Sequence, residues 1–272
     1  MNDASKNAAE SLVLRHDKAE VATLTMNRPK QRNALSAGLM AAMQDALDAA
    51  ADDKSIKAVV IAGAGPAFCA GHDLREMRAE PGRPNDKLAA YQALFTQCSR
   101  MMLTITRLPK PVIARVHGMA TAAGCQLVAS CDLAVASTDA RFATPGVNIG
   151  LFCSTPAVAL SRNVGRKQAM EMLLTGEPIG AAEAQRMGLV NRAVPPAKLD
   201  AETQALARRV ASRSPLTVKI GKDGFYRQLE MSLDDAYALV SRVMAENMMA
   251  HDAEAGIDAF LDKKPEPEWK GR

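Results

Sequence analysis

Two stretches of this chain combine small residues, a change of direction and polar groups in a way that suits acyl chemistry. They are Ala67-Phe-Cys-Ala-Gly-His-Asp-Leu74 and His117-Gly-Met-Ala-Thr-Ala-Ala-Gly-Cys-Gln-Leu127. Each follows an apolar run that reads as a strand and leads into a run that reads as a helix. Small residues at such a corner let a ligand approach the backbone, because no side chain blocks it. The first N–H groups of a helix have no internal partner and carry a partial positive charge. Two such corners facing one pocket supply two donors to one developing oxyanion. On their own, the same residues also make ordinary tight strand-to-helix turns.

The elements that must hold these corners follow from the apolar pattern. Leu12–Arg15 and Val21–Met26, around a polar turn at His16-Asp-Lys18, predict a β-hairpin. Ser36 predicts an N-cap for a helix reaching about Ala51, with Leu39, Met43, Leu47 and Ala50 at helical spacing. Lys57–Ala62, Pro111–Val116 and Leu133–Ala136 are apolar runs that predict buried strands, and a long helix is expected from Asp86 to Arg107. The breaker-rich Pro81-Gly-Arg-Pro84 predicts a loop, and Thr155 onward reads as mostly helical apart from Leu189–Val194. This alternation predicts an α/β fold with a parallel-sheet core and a helical C-terminal part, divided at Pro195-Pro196. The expected units are a disordered leader over 1–11, a core over 12–195 and a helical region over 196–272.

With 272 residues, nearly half of them hydrophobic, the chain can bury a full core. A net charge of +4 is too small and too dispersed to predict nucleic-acid binding. No apolar run is long enough to predict a membrane span, and the first residues resemble no targeting segment, so a cytoplasmic location is expected. The cysteines Cys69, Cys98, Cys125, Cys131 and Cys153 form no Cys-x-x-Cys pair, which predicts reduced thiols and no metal site.

Several landmarks occur in order: Asn27-Arg-Pro, Asn33-Ala-Leu35, Ala-Gly-His-Asp-Leu74, Ala122-Ala-Gly-Cys-Gln-Leu127, Cys131-Asp-Leu133, Phe142-Ala-Thr-Pro-Gly146, Leu174-Thr-Gly176 and Ala184-Gln-Arg-Met-Gly-Leu-Val190. Together they resemble the crotonase (enoyl-CoA hydratase/isomerase) superfamily over nearly the whole chain. In pattern they are nearest to the group of enoyl-CoA hydratase domain-containing protein 3. The resemblance implies a spiral of ββα units, C-terminal helices that build trimers or dimers of trimers, and an acyl-CoA or enoyl-CoA thioester as ligand. It implies no tightly bound cofactor, coenzyme A being part of the substrate. Carried over to this chain, the oxyanion donors are the backbone N–H groups of His72 and Ala123. The implied thioester contacts are Arg32, Ala34, Ala70, His72, Asp73, Leu74, Ala122, Pro145 and Cys153; Lys263 and Lys264 either reach phosphate from the C-terminal helix, of this or a neighbouring subunit, or form a solvated basic helix end that complements the helix dipole.

One departure from the family pattern bears on the chemistry. Family hydratases place two glutamates where this chain has Gln126 and Gly146. An amide has no useful basicity, and glycine offers no side chain. Ordinary two-glutamate hydration is therefore not expected. Replacement groups are His72, Asp73, Cys153, Asn148 or a bound anion near Gly146. For most of these the residue types are equally those of structural groups: a packed histidine, a helix-capping aspartate and a buried thiol. The expectation is a thioester enzyme using the oxyanion hole, or a protein that binds acyl-CoA without turning it over.

Overall fold

The structure, a computed structural model, describes residues 11–79 and 84–272. The expected leader, except Ser11, and the centre of the expected loop at 81–84 lie outside the described residues. Strands β1 (Val13–Lys18) and β2 (Val21–Met26) form the antiparallel hairpin. Its turn, however, is Ala19-Glu20, with φ of +49° and +62°, and His16–Lys18 lie inside β1. Two left-handed residues match the twist of a two-residue hairpin. Alanine and glutamate do not advertise that conformation, so the sequence places the turn too early.

Helix α1 (Ala37–Asp52) starts as predicted, with the Ser36 hydroxyl accepting the Leu39 N–H at 3.1 Å. Then come β3 (Ala58–Gly63), β4 (Ala67–Cys69), α2 (Leu74–Ala79), α3 (Pro84–Arg107), β5 (Val112–Val116), β6 (Met119–Thr121), α4 (Ala123–Ser130), β7 (Leu133–Ser137) and β8 (Arg141–Ala143). A 3-10 turn at Pro145–Ile149 leads to α5 (Ser154–Leu160), α6 (Arg166–Thr175), β9 (Ile179–Gly180), α7 (Ala181–Met187) and β10 (Arg192–Val194). The chain ends in α8 (Leu199–Ala211), α9 (Pro215–Gln228), α10 (Leu233–Met248) and α11 (His251–Leu261).

The strands divide between a six-stranded sheet, β1-β2-β3-β5-β7-β10, and a four-stranded sheet, β4-β6-β8-β9. Three times the chain leaves the large sheet and makes a short strand in the small one: β3 to β4, β5 to β6 and β7 to β8. The first two turns then continue into a helix, and the result is the α/β spiral of ββα units that the resemblance implies. The large sheet is covered on both faces, as a parallel sheet must be. Val59, Ile61 and Ala114 join the main core with α1 residues Leu39, Met43 and Leu47, whereas Ala58, Val60 and Ile113 pack against Ala207 and Ala211 of α8. Thus α8, which begins after Pro195-Pro196, lies on the sheet itself.

Candidate active site at the strand ends

Strands β4, β6 and β8 are parallel neighbours, so their C-terminal ends lie side by side. Each end runs into one expected site segment: 70–74, 122–126 and 144–146. Pairing of Thr121 with Ala143 and the Ala122 N–H bond to the Ala143 carbonyl (2.9 Å) fix the second and third corners together. Gly71 brings the first against the second. Its φ is +85°, and an added Cβ would lie 2.9 Å from Ala122 Cβ and 3.4 Å from the Ala123 nitrogen. Gly124 lets α4 approach β4 equally closely, since a Cβ there would meet the Cys69 carbonyl at 2.2 Å.

The two N–H groups of interest are left unused by this backbone. Leu35 pairs with His72 through the Leu35 N–H to Gly71 O (2.7 Å) and the Asp73 N–H to Leu35 O (3.0 Å). In a parallel bridge that pattern turns the His72 N–H to the opposite side. Ala123 opens α4, where no intrahelical acceptor exists. Neither N–H has an acceptor among the described residues. The left-handed residue at this corner is Ala122 (φ +51°, ψ −117°), not Ala123.

Segment 32–35 runs beside segment 70–73, with the Ala70 N–H donating to Arg32 O at 3.0 Å, so Arg32, Ala34 and Ala70 are brought together. The buried Asn33 organises this junction. Its Oδ1 accepts the Arg28 N–H at 2.9 Å, and its Nδ2 reaches the carbonyls of Ala64, Ala67 and Phe68 at 2.8–3.1 Å. Arg28 completes it, donating to Ala34 O (2.6 Å) and to Asp73 Oδ2 (3.0 Å). Asp73 also accepts the N–H groups of Arg75 and Glu76, which makes it the cap of α2. Burial pushes its carboxyl up, and the bonds from Arg28, Glu76 and Arg75 outweigh that, so it stays ionised below its ordinary range. Sequence reasoning missed Arg28 and the role of Asn33, because their partners are distant carbonyls. Leu74 is exposed on α2.

The remaining polar groups are poor bases. His72 packs edge-on to Phe95 of α3, with ring centroids 5.3 Å apart. Its buried Nε2 has no partner, and burial lowers its pKa, which makes it a weaker base than a free imidazole. Gln126, only 5% exposed, carries an unpartnered buried Oε1, and the buried Thr144 hydroxyl beside Pro145 is likewise unpartnered. At Gly146 an added Cβ would lie 2.6 Å from Leu151 O and 2.9 Å from Cys153 Sγ. The stem of a glutamate, or an anion bound in that direction, would meet protein atoms there. The Cys153 thiol is itself pushed up by burial, against a hydrogen bond from Gly146. Burial raises Cys69 and Cys125 to about 12. Asn148 faces Gly176 instead.

A cleft of about 280 Å³ opens beside the first corner, lined by Ala37, Glu76, Met77, Tyr91, Leu94 and Gln97 among others. Lys263 and Lys264 are elsewhere. They follow α11, where Lys264 pairs with Asp262 at 2.8 Å, and among the described residues no hydrogen bond or ion pair ties them to the corners.

A model of the family "Enoyl-CoA hydratase/isomerase" matches residues 16–272. Human "Enoyl-CoA hydratase domain-containing protein 3, mitochondrial" is 49% identical over 250 residues, covering 92% of this chain and 80% of that protein. The crystal structure of an enoyl-CoA hydratase from Mycobacterium smegmatis aligns with a TM-score of 0.91 and 54% identity, covering 95% of this chain and 99% of that one. That of the human domain-containing protein 3 aligns with a TM-score of 0.88 and 46% identity, covering 94% and 99%. The human relative and those of Xenopus laevis and Mus musculus all carry "mitochondrial" in their names. This overturns the expected cytoplasmic location, which rested only on the lack of a recognisable targeting segment. The order of landmarks, the two-sheet spiral and the similarity over nearly all of its length agree: the chain belongs to the crotonase (enoyl-CoA hydratase/isomerase) superfamily, in the group of enoyl-CoA hydratase domain-containing protein 3.

Proposed function

We propose that this chain binds an acyl-CoA or enoyl-CoA thioester with the thioester carbonyl between the N–H groups of His72 and Ala123, and polarises it so that the α-proton passes to and from base in the solvent through an enolate, without ordinary hydration. The supporting observation is the pair of unused N–H groups on corners packed against each other through Gly71. One such donor is typically worth about 3–4 kcal/mol of barrier when charge develops on the carbonyl oxygen. Segment 32–35 and Ala70 hold the coenzyme A portion, and Lys263 and Lys264 of a neighbouring subunit add charge toward its phosphates. The ligand brings coenzyme A as part of itself, and the reading needs no separate bound cofactor. Self-association as trimers or dimers of trimers belongs to the same proposal.

Hydration needs a base to take a proton from water, and the corners offer an amide, a glycine, thiols held in the neutral form, an Asp73 carboxylate already engaged by Arg28 and two backbone N–H groups, and a His72 imidazole whose basicity burial lowers. That same set favours a second reading, in which the thioester is bound and released unchanged.

Mass spectrometry of saturated and 2-enoyl thioesters incubated with the protein in D₂O separates these readings. The expected result is α-deuterium in saturated thioesters, reduced in Gln126→Ala, with no water added to enoyl thioesters. Thioesters retained by the protein but unexchanged would establish the second reading. Rapid water addition would refute the first.

A further inference from the structure

The segment that follows α11 is fastened back onto it. The chain reverses at Lys263 (φ +55°), and the Lys264 N–H bonds the Ala259 carbonyl at 2.8 Å. Residues 265–272 then run back along the helix. The Trp269 ring covers Gly256, where a Cβ would lie 3.2 Å from the indole, and Trp269 Nε1 donates to Ser212 O at 2.9 Å. Arg213 pairs with Glu266 at 2.5 Å. The centre of the arrangement is Asp252, in the first turn of α11 and 2% exposed. Its Oδ1 accepts the Lys270 N–H at 2.8 Å, and its Oδ2 accepts the Gly271 N–H at 2.9 Å and the Ser214 hydroxyl at 2.6 Å. The Asp252 N–H donates to Arg272 O at 3.1 Å. A buried carboxylate thus closes a loop between the tail, the start of α11 and the α8–α9 junction, and no step at the strand ends uses it.

We propose that Asp252 is a positioning residue: it clasps the tail so that the end of α11 is held in one geometry, with Lys263 and Lys264 presented to the phosphates of coenzyme A bound at a neighbouring subunit, and clasp closure and coenzyme A binding favour one another. The proposal rests on the acyl-CoA reading above. Lys263 and Lys264 lie inside the loop that Asp252 closes. With the loop open they must be ordered when ligand arrives, and apparent affinity falls in proportion to the competent fraction. Reciprocity requires ligand to stabilise the closed clasp by the same factor.

The test uses the full chain and free coenzyme A. Trp269 is the only tryptophan, so its emission reports on the tail directly. Asp252→Asn is expected to shift that emission to the red, to speed hydrogen exchange at the Lys270 and Gly271 amides, and to weaken coenzyme A binding about tenfold, within the usual range of coupling between sites. In the unaltered chain, coenzyme A is expected to slow exchange at the same two amides, a readout that does not depend on any variant folding. An opened tail with unchanged affinity, or unchanged exchange on adding coenzyme A that does bind, would overturn the coupling. Unchanged Trp269 emission in Asp252→Asn would overturn the clasp. Absence of coenzyme A binding by the unaltered chain would overturn the acyl-CoA reading, and with it the coupling, while the emission shift would still report the clasp.

Discussion

At the scale of single residues, Gly146 has the clearest consequence. A Cβ there meets Leu151 O at 2.6 Å and Cys153 Sγ at 2.9 Å, one partner being rigid backbone. Overpacking of this kind costs about 1–3 kcal/mol. Gly146→Ala should therefore lower the urea midpoint, and less so in a Cys153→Ala background, where the sulfur contact is gone and the carbonyl contact remains. Equal losses in both backgrounds would show that Cys153 does not fill the space. Gln126 and Gly146 stand out through the family resemblance, which implies glutamates at those positions. That Cys153 fills the space beside Gly146 could not be foreseen, since nothing in the spacing between 146 and 153 says that the loop folds back onto Gly146.

At the scale of elements, α9 is joined to the core through a buried ion pair. Lys222 of α9 donates to Asp132 Oδ2 at 2.7 Å and to the carbonyls of Ile105 and Lys110 at 2.9 and 3.0 Å. Asp132 also accepts from the Val112 N–H and the Tyr226 hydroxyl. Burial lowers the Lys222 pKa, opposed by the charge of Asp132, and burial raises that of Tyr226. Removing one member of such a pair strands the other, at a cost of about 3–5 kcal/mol. Lys222→Ala should show that loss in denaturant unfolding, and a loss below 1 kcal/mol, the range of exposed pairs, would show that the pair is not what fastens α9. Among the elements, α1, α3 and the large-sheet strands other than the three-residue β10 were legible because their apolar spacing extends over several residues. Strands β4, β6 and β8 were not, since three residues carry no period.

At the scale of the whole molecule, the C-terminal helices leave large apolar side chains in solvent. Leu233, Tyr237, Met244, Leu261, Met249 (87% exposed) and Phe260 (82% exposed) all lie on α10, α11 or the turn between them. Surfaces of this kind mark association sites. The proposed trimer or dimer of trimers predicts a sedimentation mass of three or six chains at micromolar concentration. A monomer at that concentration would refute it. Substituting Met249 and Phe260 by Asp should shift the distribution toward monomer while the far-ultraviolet circular dichroism is kept.

The sequence by itself determined the elements with long-range periodicity, the Ser36 cap and the corners at 70–74 and 122–126. These are local properties, carried by neighbouring residues. Only the tertiary structure decided that three short parallel strands end side by side, that Gly71 and Gly124 let those ends touch, that the His72 ring turns toward Phe95, and that Asp252 fastens the tail. Each of these is a meeting of residues far apart in the chain. Such meetings are set by how two sheets and their covering helices pack around one core, and no local pattern encodes them.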